Sequence, residues 1–155
     1  MERRLGIENG KDFPKELRKP RSLTSDARAE ASSVYNNDTL HYSSDYAVDS
    51  AVSTSWVSGD SLARITVNLD GERTFNRIFV IAGENSIRDF DIEVENAGAW
   101  TTVYRSGLLP VSYQNSFMGY GVIDFALPET LTTDKFRMNI RQSNGKPSIY
   151  SIRLK

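Results

Sequence analysis

The sequence predicts an all-β domain, an antiparallel β-sandwich of the jelly-roll kind, and three observations carry that reading. Apolar residues recur at every second position in several short stretches. Turn-forming residues separate those stretches at short intervals. No stretch keeps the apolar period of a long amphipathic helix.

Residues 1–22 stand apart from this pattern. They are charged, with Pro14 and Pro20 interrupting any helix, and read as a linker or N-terminal arm. The sandwich domain is expected over residues 23–155. Ile65, Val67 and Leu69 alternate with Arg64, Thr66 and Asn68 and end at an Asp70-Gly71 turn. Phe75 to Ile81 turns apolar on both faces towards its end, as a central strand does. Phe90, Ile92 and Val94 form an inward set against Asp89, Asp91, Glu93 and Glu95. That acidic stripe reads as a solvated face, neutralised by Arg137 and Arg141 if their strands are neighbours. Asn96-Ala97-Gly98 turns the chain into Trp100 to Tyr104. Ile123, Phe125 and Leu127 form the next set, stopped by Pro128, followed by Phe136, Met138 and Ile140, and Ile152 with Leu154 closes the domain. Trp56 and Trp100 are expected in the core rather than as ligand platforms.

A chain of 155 residues suits one domain with one core. It has no cysteine, which excludes disulfides, thiolate zinc sites and a cysteine nucleophile. A single histidine, His41, excludes a metal site of several imidazoles. Nineteen basic residues against twenty acidic ones give a net charge of −1 and no general pull towards nucleic acid. No apolar run approaches the ~20 residues of a membrane span. Met1 to Arg21 lacks the pattern of a secretory leader and reads as the start of a fragment whose address lies upstream. There is neither a Gly-rich phosphate loop nor a nucleophile elbow, so catalysis by this chain is not expected.

At this point the chain resembles the discoidin-like, coagulation factor 5/8 type C domains, and more closely the family 32 carbohydrate-binding modules of bacterial glycosidases. The motifs are Ala31-Ser32-Ser33, Ala47-Val48-Asp49 followed by Thr54-Ser55-Trp56, Ile65 to Leu69, Phe90 to Val94 before Trp100, and the last strand Ile149 to Leu154. Phe75-Asn76-Arg77-Ile78 and Lys146-Pro147-Ser148-Ile149 look most like the sandwich appended to bacterial α-L-fucosidases. The resemblance implies a galactose-binding-like jelly-roll acting as a non-catalytic module of a larger secreted glycoside hydrolase. Its partners would be a glycan or oligosaccharide and the parent's catalytic domain. It would be extracellular, periplasmic or on the cell surface of a bacterium, and monomeric. It also implies a structural calcium held by Asp49 and Thr54. Against that, the family's usual glycine after the acid is Ser50 here, and its glutamate in the last strand is Ser151. The alternative is that Asp49 caps its own turn. The histidine and arginine of galactose binders are replaced by Val57 and by Gly83 or Glu84.

Sugar recognition needs an apolar ring for the C–H face of a pyranose and polar groups for its hydroxyls. Two long polar, aromatic loops, 35–46 and 107–121, supply both. Tyr42 and Tyr120 are the expected platforms, with His41, Glu84, Asn85 and Asn144 as hydroxyl partners. The plainer alternative packs each ring on its own scaffold. Two rival functions remain open: a structural domain seated on a catalytic domain without a ligand, and a protein- or lipid-binding domain using Leu108, Leu109, Phe117 and Met118.

Overall fold

The computed structural model describes residues 23–24, 26–49, 51–84, 86–109 and 120–155. The expected arm 1–22, Asn85, Phe117 and Met118 lie outside the described residues. The strands are β1 (Arg28–Ala31), β2 (Trp56–Val57), β3 (Ala63–Gly83), β4 (Ile87–Asn96), β5 (Ala99–Arg105), β6 (Tyr120–Ser143) and β7 (Ser148–Leu154). Between β1 and β2 lie the α-helical turn α1 (Thr39–Tyr42) and two 3-10 turns, Tyr35–Asn37 and Ser44–Ala47.

Every strand pair is antiparallel. The two long strands, β3 and β6, pair with each other almost end to end and belong to both layers. Their register slips between Asn68 and Arg73 and again between Phe75 and Arg77, and there the pair folds over from one layer into the other. The first half of β3 and the second half of β6 lie between β1 and the β4–β5 hairpin. The other halves lie beside β7, which carries the short β2. Ile65, Val67, Leu69, Phe136 and Met138 therefore face Ile78, Val80, Ile123, Ile149 and Ile152 across one core, all at most 1% exposed.

The sandwich is as expected, but four details differ from the sequence reading. Asp70-Gly71 does not end a strand. Both residues have positive φ (55° and 107°), so the pair bends β3 without stopping it. Pro128 likewise sits inside β6 rather than after it. Asp91 keeps to the outward set, between the fully buried Phe90 and Ile92, yet is only 5% exposed: it lies across the ladder from Asn139 with Arg141 3.7 Å from its carboxylate. Trp100 is half-buried on the outside, its ring 4.1 Å from the Arg137 guanidinium, and not in the core. Trp56 is in the core, fully buried. The turn at 96–99 is a two-residue hairpin, with Ala97 and Gly98 both at positive φ (53° and 82°).

The acidic stripe and the arginines do meet, as strand neighbours. Arg137 bonds Glu93, Arg141 lies 3.1 Å from Asp89 and 3.7 Å from Asp91, and Lys135 lies 3.8 Å from Glu95. Burial pushes the Glu93 carboxyl up, but hydrogen bonds from Arg137, Asn139 and Thr102 with the Arg137 charge outweigh it and hold the group below its usual range.

A candidate ligand rim at one end of the sandwich

Among the described residues, the connections that meet at one end of the molecule include segments 32–42, 58–62 and 144–147, with Glu84, Ser86 and, at the start of β6, Tyr120. Short polar bonds tie them together. The Gly59 N–H donates to Ser33 Oγ at 2.9 Å, and the Ser58 N–H to the Pro147 carbonyl at 2.9 Å. Ser143 Oγ donates to the Ser61 carbonyl, and the Asn144 N–H to the Ser86 carbonyl at 3.2 Å. Beneath them the buried Trp56 indole donates Nε1–H to the Ser33 carbonyl at 3.0 Å, fixing the point where the first rim segment leaves the core.

The segment read as a long loop is a chain of short helical turns. Asn36 and Asn37 both occupy the left-handed region (φ 54° and 55°), which asparagine tolerates better than most residues. Asp38 then caps α1, accepting from the His41 N–H at 3.2 Å and contacting His41 Nδ1 at 2.8 Å. The His41 hydrogen bond holds the Asp38 carboxyl below its usual range. Ser43 caps the next turn, and Asp45 fastens it to β1 through the Ala29 N–H at 2.8 Å and the Arg28 guanidinium at 2.8 Å. Burial pushes the Asp45 carboxyl up, but those two partners together hold it low.

This folding brings three rings into one group. Tyr35 and Tyr42 meet edge to face with centroids 5.4 Å apart, and His41 lies 6.2 Å from Tyr42. Lys146, from the segment before β7, reaches to 5.9 Å over Tyr35. His41 is two-thirds exposed; both tyrosines are half-buried. Lys146 is the member that sequence reasoning missed; Tyr35 belongs to the aromatic loop singled out there but was not among its two expected platforms.

Tyr120 sits differently. Its ring meets Tyr150 edge to face at 4.8 Å and its hydroxyl donates to the Val52 carbonyl at 3.2 Å. Tyr120 pairs with Gly83, where a Cβ would collide with Ser148 Oγ, so a side chain there has no room. Glu84 follows directly and is exposed. Asn144 is exposed on the neighbouring segment. Glu84, Asn144 and Tyr120 thus gather at the same end as Lys146, with Tyr42 and His41 joined to it through Tyr35. Asn85 lies outside the described residues.

The loop implied to hold calcium is closed on itself. Asp49 Oδ1 accepts from the Ala51 N–H at 3.0 Å, and Oδ2 from the Thr54 hydroxyl at 2.7 Å. At the place of a second carboxylate, the buried Ser151 offers only a hydroxyl, which accepts from Arg153 Nε at 3.1 Å. Among the described residues no group of three or more histidines, cysteines or carboxylates gathers. One carboxylate whose oxygens are both engaged does not make the many-oxygen shell a hard cation needs.

The F5/8 type C domain family model matches residues 28–154, and the chain belongs to that family. Among solved structures it is similar to chitosan-binding module 1 of a chitosanase/glucanase from Paenibacillus sp. IK-5, at 22% identity and TM-score 0.68 over 88% of this chain and 99% of that one. It is similar to the family 32 carbohydrate-binding module of Clostridium perfringens NanJ, solved with galactose, at 18% identity and TM-score 0.67 over 85% and 95%. A third, also from Clostridium perfringens, was solved with GalNAc-β-1,3-galactose, at 14% identity and TM-score 0.70 over 86% and 99%. Identities this low establish the shared fold. No curated protein sequence matches the chain.

Proposed function

We propose that the domain is a non-catalytic carbohydrate-binding module whose ligand sits on the rim. The observation that carries this is the Tyr35–Tyr42 pair, presented with His41, Asp38 and Lys146 at the end where the connecting segments converge. The rings offer apolar faces to a pyranose, and the carboxylate, imidazole and ammonium offer bonds to its hydroxyls. Val57 stands where galactose binders of this kind carry histidine, so the sugar is held by a different set of groups.

Such a site binds weakly, with a dissociation constant on the order of tens of μM to mM, or about −6 to −4 kcal/mol. Weak binding suffices if the module is tethered, because tethering raises the effective concentration of an attached catalytic domain at its polymer. The reading therefore includes a larger secreted bacterial glycoside hydrolase as parent. In this reading the Asp49 loop is held by its own hydrogen bonds, without calcium.

A glycan array with the isolated domain tests the proposal, repeated with Tyr42→Ala and Tyr120→Ala. Binding that disappears in Tyr42→Ala supports it. Silence of the wild-type domain across the array favours the structural role instead.

A further inference from the structure

On the outer face of the first layer a trough starts at Ser32 and Leu62 of the rim segments and runs along β3 away from the rim rings. A depression of about 330 Å³ lies between β3 and β6, lined by Ser32, Leu62, Ala63, Arg64, Asn139, Ile140 and Arg141; its carboxylate neighbours Asp89, Asp91 and Glu93 are taken up by Arg141, Asn139 and Arg137. It continues into a second hollow of about 250 Å³ and a third of about 180 Å³ along β1 and β3. Arg64 borders the first two hollows, and Glu30 and Thr66 border the last two. From Leu62 to Asn68 the trough follows one strand for about 20 Å.

Arg64 is the informative residue. It lies directly opposite Asn139 in the ladder, with Arg141 and Arg137 on the two diagonals. Arg137 is committed to Glu93 and Trp100, and Arg141 is shared between Asp89 and Asp91 while its side chain stays 45% exposed. The exposed Arg64 guanidinium has no hydrogen-bond or ionic partner among the described residues. An arginine left unpaired beside a second, half-exposed one suits a planar anion taken in forked fashion, the Asn139 amide between them being already bonded to Glu93.

We propose that this trough binds an extended anionic glycan, one sugar carboxylate or sulfate sitting between Arg64 and Arg141 over Asn139. The hydroxyls and amides of Ser32, Thr66 and Asn68 would take the neighbouring sugar hydroxyls. A glycan fits better than an acidic peptide, because of the apolar lining residues only Leu62 is well exposed, Ala63 and Ile140 being buried, and the remaining walls are polar. Glu30, equally unpaired among the described residues, sits further along and sets the direction, because the two cations lining its hollow, Arg28 and Lys135, are already paired with Asp45 and Glu95. It repels a second anion, so the charged sugar is placed at the Leu62 end.

The test is an amide NMR titration of the whole chain with tetragalacturonate, its methyl ester and poly-glutamate. Tetragalacturonate is expected to shift Arg64, Thr66, Asn139 and Arg141, with binding that weakens as salt rises. Arg64→Glu should weaken it tenfold or more, Glu30→Gln should strengthen it about twofold, and Tyr42→Ala should leave it unchanged. The proposal is overturned if the methyl ester binds equally well, if the shifts fall on residues 35–42, if Arg64→Glu binds like wild type, or if poly-glutamate binds more tightly. Failure of Tyr42→Ala to affect neutral glycans would count against the rim alone.

Discussion

Two groups of aromatic rings sit at the same end of the sandwich on either side of the segment before β7, yet they do different work. Tyr120 and Tyr150 pack edge to face on the outside of the second layer, and the one hydroxyl is spent on the Val52 carbonyl. Tyr35 and Tyr42 pack edge to face with the same geometry, but next to an exposed imidazole, a carboxylate and an ammonium. The first group fastens the chain before β2 to β6. The second is held by caps and turns beneath it and leaves its polar groups outward. Ring content alone does not distinguish a strut from a platform; the partners of the hydroxyls and the neighbouring charges do.

The largest expected effect falls on what the two groups share. Trp56 pairs with Ile149, next to Tyr150, and holds Ser33, two residues before Tyr35. Trp56→Ala should cost about 3–5 kcal/mol of stability, read as a lowered urea midpoint, and disorder both groups together. Tyr42→Ala should weaken glycan binding about tenfold while the melting temperature moves little, read by titration calorimetry beside thermal melting. Tyr120→Phe should do the reverse, costing at most about 1 kcal/mol in a melting experiment and leaving affinity unchanged.

The charged face of the first layer, through Glu93, and the turn after Tyr42, through Asp45, give a pH prediction. Glu93 and Asp45 have carboxyls held below their unfolded values, so the stability they contribute is present above the ordinary carboxylate range, near pH 4. It is lost as the pH falls through their lower folded values. Urea midpoints should therefore decline below about pH 4, and Glu93→Gln should flatten that decline. The smallest effect concerns the Asp49 loop. Adding calcium or a chelator should leave the melting temperature unchanged, whereas a rise with calcium would show that the loop opens to take the ion.

The strands were legible because one buried face imposes a period of two, and Ile65–Leu69, Ile123–Leu127 and Phe136–Ile140 keep it without interruption. Asp91 lies on the face its period gave it; its burial was not legible because it comes from a neighbouring strand, whose Arg141 lies over the carboxylate. Trp100 was misplaced because β5 has a partner on one side only, and the ring found the Arg137 guanidinium there rather than the core. Asp70-Gly71 and Pro128 read as stops because local conformation does not say whether a chain reverses or only bends between layers. At the rim, the residue types were legible and their grouping was not. Lys146 reaches Tyr35 across more than a hundred residues of sequence, a contact set by the closure of the sandwich.

The most direct test is an NMR titration of the isolated domain with a neutral oligosaccharide found by array. The account predicts shifts confined to residues 35–42 and 144–146, lost in Tyr42→Ala and kept in Tyr120→Phe. Shifts centred on Tyr120 and Tyr150, or kept in Tyr42→Ala, would contradict it.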